Sequence, residues 1–235
     1  MEHLSIKAGE KIALLGENGC GKTTLFQALA GLLPFRGNIE FIAPQGEGER
    51  NQTGREAEFL RWERLNPEER ARHMAYLPQE AGLLFNLTVN EVLALTLAGQ
   101  RPLQGEARAA ALRAAAMEDF LERPFQALSG GEKRRVMLAR VLCRGCVFTL
   151  LDEPTAPLDM RHATLFMRHA ARIPGAVLAA MHDVSLALRY FQRFLLMKEG
   201  RILYDVAKEE LATDMLETIY GIGLERRGDL VMPEL

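Results

Sequence analysis

Apolar residues along the chain fall into two alternating patterns. Continuous runs at residues 12–15, 147–151 and 176–181 have the length of strands buried on both faces. Segments with helical spacing follow them, at 25–33, at about 160–172 and from near Val184. This alternation predicts parallel strands joined by crossover helices. Residues 4–7 and 11–15 flank Ala8-Gly9-Glu10 and predict two strands joined by a turn. Pro34 ends the first helical pattern, and Arg36-Gly37 introduces a strand at 38–42. Asn66-Pro67-Glu68-Glu69 supplies an N-cap, a proline at the first helical position and a glutamate at the third, so a short helix is expected before a strand at 74–77. Residues 81–100 and 106–122 read as helices with no strand between them, the second with Leu112, Ala116 and Phe120 at helical spacing, which predicts a separate helical layer. Residues 194–198, Glu199-Gly200 and residues 201–204 predict a hairpin, and the polar residues 43–55 a surface loop.

The first apolar run ends in Gly16-Glu17-Asn18-Gly19-Cys20-Gly21-Lys22-Thr23-Thr24, immediately before a helix. Strand, glycine-rich loop and helix are the context a phosphate-binding P-loop requires. Its glycines let successive N–H groups point inward at a β-phosphate, the helix terminus adds partial positive charge, and Lys22 supplies a full charge to the β- and γ-phosphates. Thr23 is placed to ligate Mg²⁺. A glycine-rich turn without function would leave the Lys-Thr pair at this spacing unexplained. The pattern predicts binding of a nucleoside triphosphate.

Composition narrows the rest. A chain of 235 residues, 48% hydrophobic and 26% charged, can bury a full core, as one large domain or as one domain with a subdomain. Its formal net charge of -2 gives no basic footprint for nucleic acid. No secretory pattern opens the chain and no apolar stretch suffices to span a bilayer, so a cytoplasmic protein is expected. Cys143 and Cys146 form a C-x-x-C without a second ligand pair and read as two small core residues.

The run at 147–151 ends in Asp152-Glu153-Pro154. Asp152 is set to hold Mg²⁺ through water, and Glu153 to orient or deprotonate an attacking water. A binding protein needs only the first of these acids, so the second suggests hydrolysis. Leu128-Ser129-Gly130-Gly131-Glu132 opens another helix, a second terminus suited to phosphate. The basic run Lys133, Arg134, Arg135 on it reads as a solvated or subunit-facing surface.

Together these stretches resemble the nucleotide-binding subunit of an ATP-binding cassette transporter, from about residue 4 to 204. Leu128 to Glu132 match the signature motif, Gln79 in Tyr76-Leu77-Pro78-Gln79 the Q-loop, Leu158-Asp159 the D-loop and His182-Asp183 the switch histidine region. The resemblance implies an α/β fold of the P-loop NTPase (RecA-like) type, with a parallel-sheet core, a small antiparallel β subdomain and an inserted α-helical subdomain at about 80–140, all within one domain spanning 1–235. It implies ATP and Mg²⁺ as cofactors, with Glu153 as catalytic base, His182 contacting the γ-phosphate and Gln79 reaching Mg²⁺. It implies a head-to-tail homodimer in which Ser129, Gly130, Gly131 and Asp159 of one subunit face the P-loop nucleotide of the other.

Three sequence features qualify the resemblance. The family pattern opens with a further strand bearing an adenine-stacking aromatic, whereas only Met1-Glu2-His3 precede residue 4, so no base-binding residue is assigned. Glu132 stands where the family often has glutamine, and Pro157 stiffens the approach to the D-loop. The segment at 70–79 and the tail at 215–221 resemble the importer group for iron-siderophore, haem and cobalamin. The implied partners are integral-membrane permease subunits and a substrate-binding protein, at the cytoplasmic face of the membrane. The permease is expected to dock between Gln79 and about Ala98, on Leu83, Leu84, Phe85 and Leu87. An exporter ATPase, or a soluble cassette protein without transport, is the alternative. The soluble kinds usually carry a coiled-coil insertion or tandem cassettes, and this chain has neither.

Overall fold

The computed structural model describes residues 4–36, 40–42, 59–61, 65–79, 86–95, 104–156, 158–173 and 175–234. Its elements run in the order β1 (Lys11–Leu15), α1 (Lys22–Leu29), β2 (Glu40–Ile42), β3 (Phe59–Arg61), α2 (Pro67–His73), β4 (Met74–Leu77), α3 (Val89–Ala94) and α4 (Gly105–Ala115). There follow α5 (Gly130–Leu142), β5 (Phe148–Asp152), α6 (Met160–Ala170), β6 (Ala176–Met181), α7 (Val184–Tyr190), β7 (Arg193–Lys198), β8 (Arg201–Ala207), α8 (Thr213–Tyr220), β9 (Leu224–Arg227) and β10 (Leu230–Pro233).

The main sheet has the order β4-β5-β6-β1-β7-β8, parallel except for the edge strand β8. Alternate residues of β1 enter different cores: Ala13 and Leu15 pack toward the helices α3 to α8, Ile12 and Leu14 toward Phe26 of α1. Covering on both faces explains why these strands read as unbroken apolar runs rather than as alternations. Each large apolar side chain fully buried here contributes about 1.5–3 kcal/mol relative to exposure. Two small antiparallel pairs, β2 with β3 and β9 with β10, lie outside this sheet. Helices α3 and α4 pack against α5. Of the helix expected over 81–100, the described residues 86–95 are helical only at Val89–Ala94, because Thr88 caps its start and Leu95 is extended. No helix of the described residues is long and apolar enough to cross a membrane.

Several expected boundaries move. Residues 4–7 form no strand, because both edges of β1 are already taken by β6 and β7. Helix α1 stops at Leu29 rather than near 33: Gly31 adopts φ 72, Gly31 N–H donates to Ala28 O and Leu32 N–H to Gln27 O, a complete Schellman stop. The helix expected over 106–122 ends at Ala115, where Ala116 turns left-handed at φ 50, and a separate 3-10 turn occupies Glu118–Phe120. Helix α6 ends two residues early, at Ala170. The capping box at Asn66 and Glu69 is present as read. Cys143 and Cys146 are buried core residues whose thiols are pushed up by burial. The loop at 43–55, Pro157, and Leu83, Leu84 and Phe85 lie outside the described residues. Leu87 is partly buried against the core.

Candidate functional site

Four parallel strands, β4, β5, β6 and β1, end along one edge of the sheet, and each delivers a predicted residue there. In an open α/β sheet this carboxyl edge is where ligands bind.

After β1 the chain bends through the P-loop. Gly16 is buried so tightly that an added Cβ would lie 2.3 Å from Met197 O of β7, while Gly19 and Gly21 adopt φ 78 and 107. Gly200 N–H, in the β7–β8 turn, donates to Cys20 O at 2.8 Å and pins the loop from behind. Glu17, Asn18 and Gly19 are exposed at the rim, Cys20 is buried, and Thr24 is exposed on the first turn of α1. Lys22, 5% exposed, donates from Nζ to Gly16 O at 2.7 Å and Glu17 O at 2.9 Å, which holds its ammonium over the loop. The Tyr220 hydroxyl of α8 is buried behind Gly16, its pKa pushed up to about 12 mainly by burial.

Asp152 closes β5. It is 0% exposed, and neither carboxylate oxygen has a hydrogen-bond partner. The Thr23 and Tyr76 hydroxyls approach it without reaching hydrogen-bonding geometry. Burial pushes the Asp152 carboxyl above its ordinary value, and Glu153 adds to the rise, against the opposing pull of Thr23, Lys22 and Arg134. Unpartnered carboxylate oxygens beside a threonine hydroxyl form a hard-oxygen donor set that fits Mg²⁺.

Glu153, next in the chain, takes the left-handed φ of 47, rare for a residue with a side chain. His182 Nε2, at the end of β6, donates to Glu153 Oε1 at 2.5 Å, and Gln79 Nε2, beyond β4, donates to Glu153 Oε2 at 3.0 Å. The three residues expected to act in catalysis thus meet at one carboxylate, 13% exposed.

The signature and D-loop residues are held locally. Ser129 caps α5: its hydroxyl accepts from Glu132 N–H at 3.3 Å, and Glu132 Oε2 accepts from both the N–H and the hydroxyl of Ser129 at 2.7 Å. These bonds hold the Glu132 carboxyl below the usual range, so the glutamate in this motif completes a capping box. Gly130, next to Ser129, faces open space, and Gly131 follows it in the first turn of α5. Asp159 caps α6 through His162 N–H at 2.9 Å and accepts from His162 Nδ1 at 2.7 Å, while Arg135 Nη1 donates to His162 Nε2 at 2.6 Å.

The basic run on α5 does not behave as one surface. Arg134 is 6% exposed and donates to four main-chain carbonyls, those of Pro78, Gln79, Asp152 and Glu153. The reading of Arg134 as a surface charge is therefore wrong. Its helical phase signals this, because Arg134, Met137, Leu138 and Val141 share one buried stripe.

A parallel sheet with a phosphate loop after its central strand and an acid pair two strands away defines a P-loop nucleoside triphosphatase. The sequence pattern described as ABC transporter matches residues 2–156, and the chain belongs to that family as an ATP-binding ATPase subunit. Its relatives include proteins named hemin import ATP-binding protein HmuV. The Myxococcus xanthus protein is 35% identical over 98% of this chain and 89% of its own length, and that of Streptomyces coelicolor 39% identical over 92% and 75%. A dimeric post-hydrolysis structure of the ATP-binding cassette MJ0796, bound to ADP and Pi, superposes with a TM-score of 0.69 at 25% identity, over 88% of this chain and 89% of that one.

Proposed function

We propose that this chain is the Mg²⁺-dependent motor subunit of a membrane importer for haem or a related iron chelate, working as a head-to-tail dimer on permease subunits at the cytoplasmic face. The observation that carries the substrate is the 34–39% identity, over nearly the whole chain, to proteins named as hemin import ATP-binding proteins.

In this reading the chain is a single cassette domain over 1–235, with a helical subdomain at about 80–140. The P-loop, Gly16 to Thr24, cradles the β- and γ-phosphates on its N–H groups, and Lys22 exchanges the Gly16 and Glu17 carbonyls for phosphate oxygens. Thr23, Asp152 and Gln79 would hold Mg²⁺, which when bound neutralises charge developing on the transferred phosphoryl group. Glu153 takes the proton of the attacking water, and His182 orients its carboxylate and faces the γ-phosphate. Ser129, Gly130, Gly131 and Asp159 serve the nucleotide of the opposite subunit, which makes two equivalent sites. The permease docks on the segment from Gln79 to about Ala98, and a substrate-binding protein delivers the chelate outside.

The test is growth on haem as sole iron source. Cells lacking this chain should fail to grow, the wild-type chain should restore growth and co-purify with a polytopic membrane protein, and Glu153→Gln should not restore it. Unchanged haem uptake in the deletion strain would overturn the importer reading.

A further inference from the structure

We propose that Arg134 is a positioning residue for ATP hydrolysis, a strut that sets the placement of Gln79 against Glu153 by fastening the ends of β4 and β5 to α5. The proposal rests on the reading of Gln79 and Glu153 given above.

The pairing of β4 with β5 runs through Leu77 opposite Leu151. No register pair joins β4 to β5 beyond that one, and although Asp152 pairs with Ala180 of β6, nothing in the register ties Pro78 and Gln79 to Asp152 and Glu153. Arg134 fills the gap. Its Nη1 donates to Pro78 O at 2.5 Å and Gln79 O at 3.0 Å, and its Nη2 to Asp152 O at 2.7 Å and Glu153 O at 2.9 Å. All four Nη protons are used, two toward each strand, and only Nε lacks a partner. A planar guanidinium can make this double fork, whereas an ammonium is a point charge with three donors in one place.

The fork also bears on the backbone of the acid. Glu153 sits at φ 47, a conformation that persists only where its surroundings over-determine it. Its N–H donates to Ala180 O at 3.2 Å, and its carbonyl is held by Arg134. The negative charges of the acid pair also favour the buried cation. Arg134 lies five residues beyond Ser129, the N-cap of α5, so the helix that presents the signature motif is tied directly to the residues that orient the attacking water.

Steady-state hydrolysis by the full-length chain and its Arg134→Lys and Arg134→Gln variants tests this, together with ATP binding and the melting temperature. A strut predicts that kcat falls about 10- to 10²-fold, the scale of a misplacement near 1 Å, while KM and ATP affinity stay within about twofold because the P-loop is untouched. It also predicts that Gln79→Ala with Arg134→Gln is no slower than the slower single variant, since both act on one geometry. Wild-type kcat in the Arg134 variants would overturn the proposal, as would additive losses in the double variant. Variants that do not fold, or that lose ATP binding in step with turnover, would overturn it too by making Arg134 a support of the fold alone. Absence of hydrolysis by the wild-type chain would overturn the ATPase reading, and the strut with it.

Discussion

A buried carboxylate without a hydrogen-bond partner raises the free energy of the folded state, and Asp152 is such a group wherever it is ionised. Its folded-state pKa lies above the ordinary 3.8 because burial penalises the charge. The folded chain therefore favours the protonated acid, and the stability this provides is complete below 3.8 and lost as pH rises through the raised value. Above that window the ionised form weakens the fold. Asp152→Asn removes the charge at nearly constant volume. In the absence of Mg²⁺ and nucleotide it should melt higher than the wild-type chain at pH 7–8, and the gap should close as pH falls below the carboxylate range. About 1 kcal/mol moves the melting temperature of a domain this size by roughly 2–4 °C, well within calorimetric reach. The same variant should lose Mg²⁺-dependent hydrolysis by about 10²-fold or more. A melting temperature lowered equally at every pH would show that Asp152 is a structural acid instead.

At the scale of elements, the P-loop takes its shape from the hairpin behind it. Met197 O of β7 excludes any side chain at residue 16, and the Glu199-Gly200 turn, left-handed at both residues, holds Cys20 O. Gly16→Ala forces a backbone oxygen and a Cβ apart from 2.3 Å, where no flexible side chain can yield. It should lower stability by about 1–3 kcal/mol, the range for overpacking a core, and weaken ATP binding, as read by chemical denaturation and fluorescent-nucleotide titration. Wild-type behaviour in both would show that the hairpin does not shape the loop.

Elements with their own start and stop chemistry were legible from the sequence: the capping box at Asn66, the turn at Glu199-Gly200, and the glycines of the P-loop. The end of α4 was not, since the left-handed stop falls on Ala116, which carries no glycine signal. The missing strand at 4–7 depended on which strands flank β1, a tertiary fact no local pattern contains. The meeting of Gln79, Glu153 and His182 followed in principle from parallel strands ending at one edge. Arg134 was misread because three adjacent basic residues look like surface, although the phase of its own helix placed it in the buried stripe.

For the whole molecule, the site has one half that is assembled and one that is presented. The carboxyl edge of the sheet gathers the P-loop, Asp152, Glu153, Gln79 and His182, while among the described residues the side chains of Ser129 and Asp159 bond to Glu132 and His162 of the helices they cap. Ser129, Gly130 and Asp159 are exposed, as the proposed sandwich of a nucleotide between two copies would need them to be. The most direct measurement is ATP turnover and oligomeric state of the chain with Glu153→Gln in Mg²⁺ and ATP. Hydrolysis should fall by about 10²-fold or more with ATP still bound, and a nucleotide-locked dimer should form that the wild-type chain does not accumulate. Near-normal turnover by the variant, or a strictly monomeric protein in saturating ATP, would contradict this mechanism.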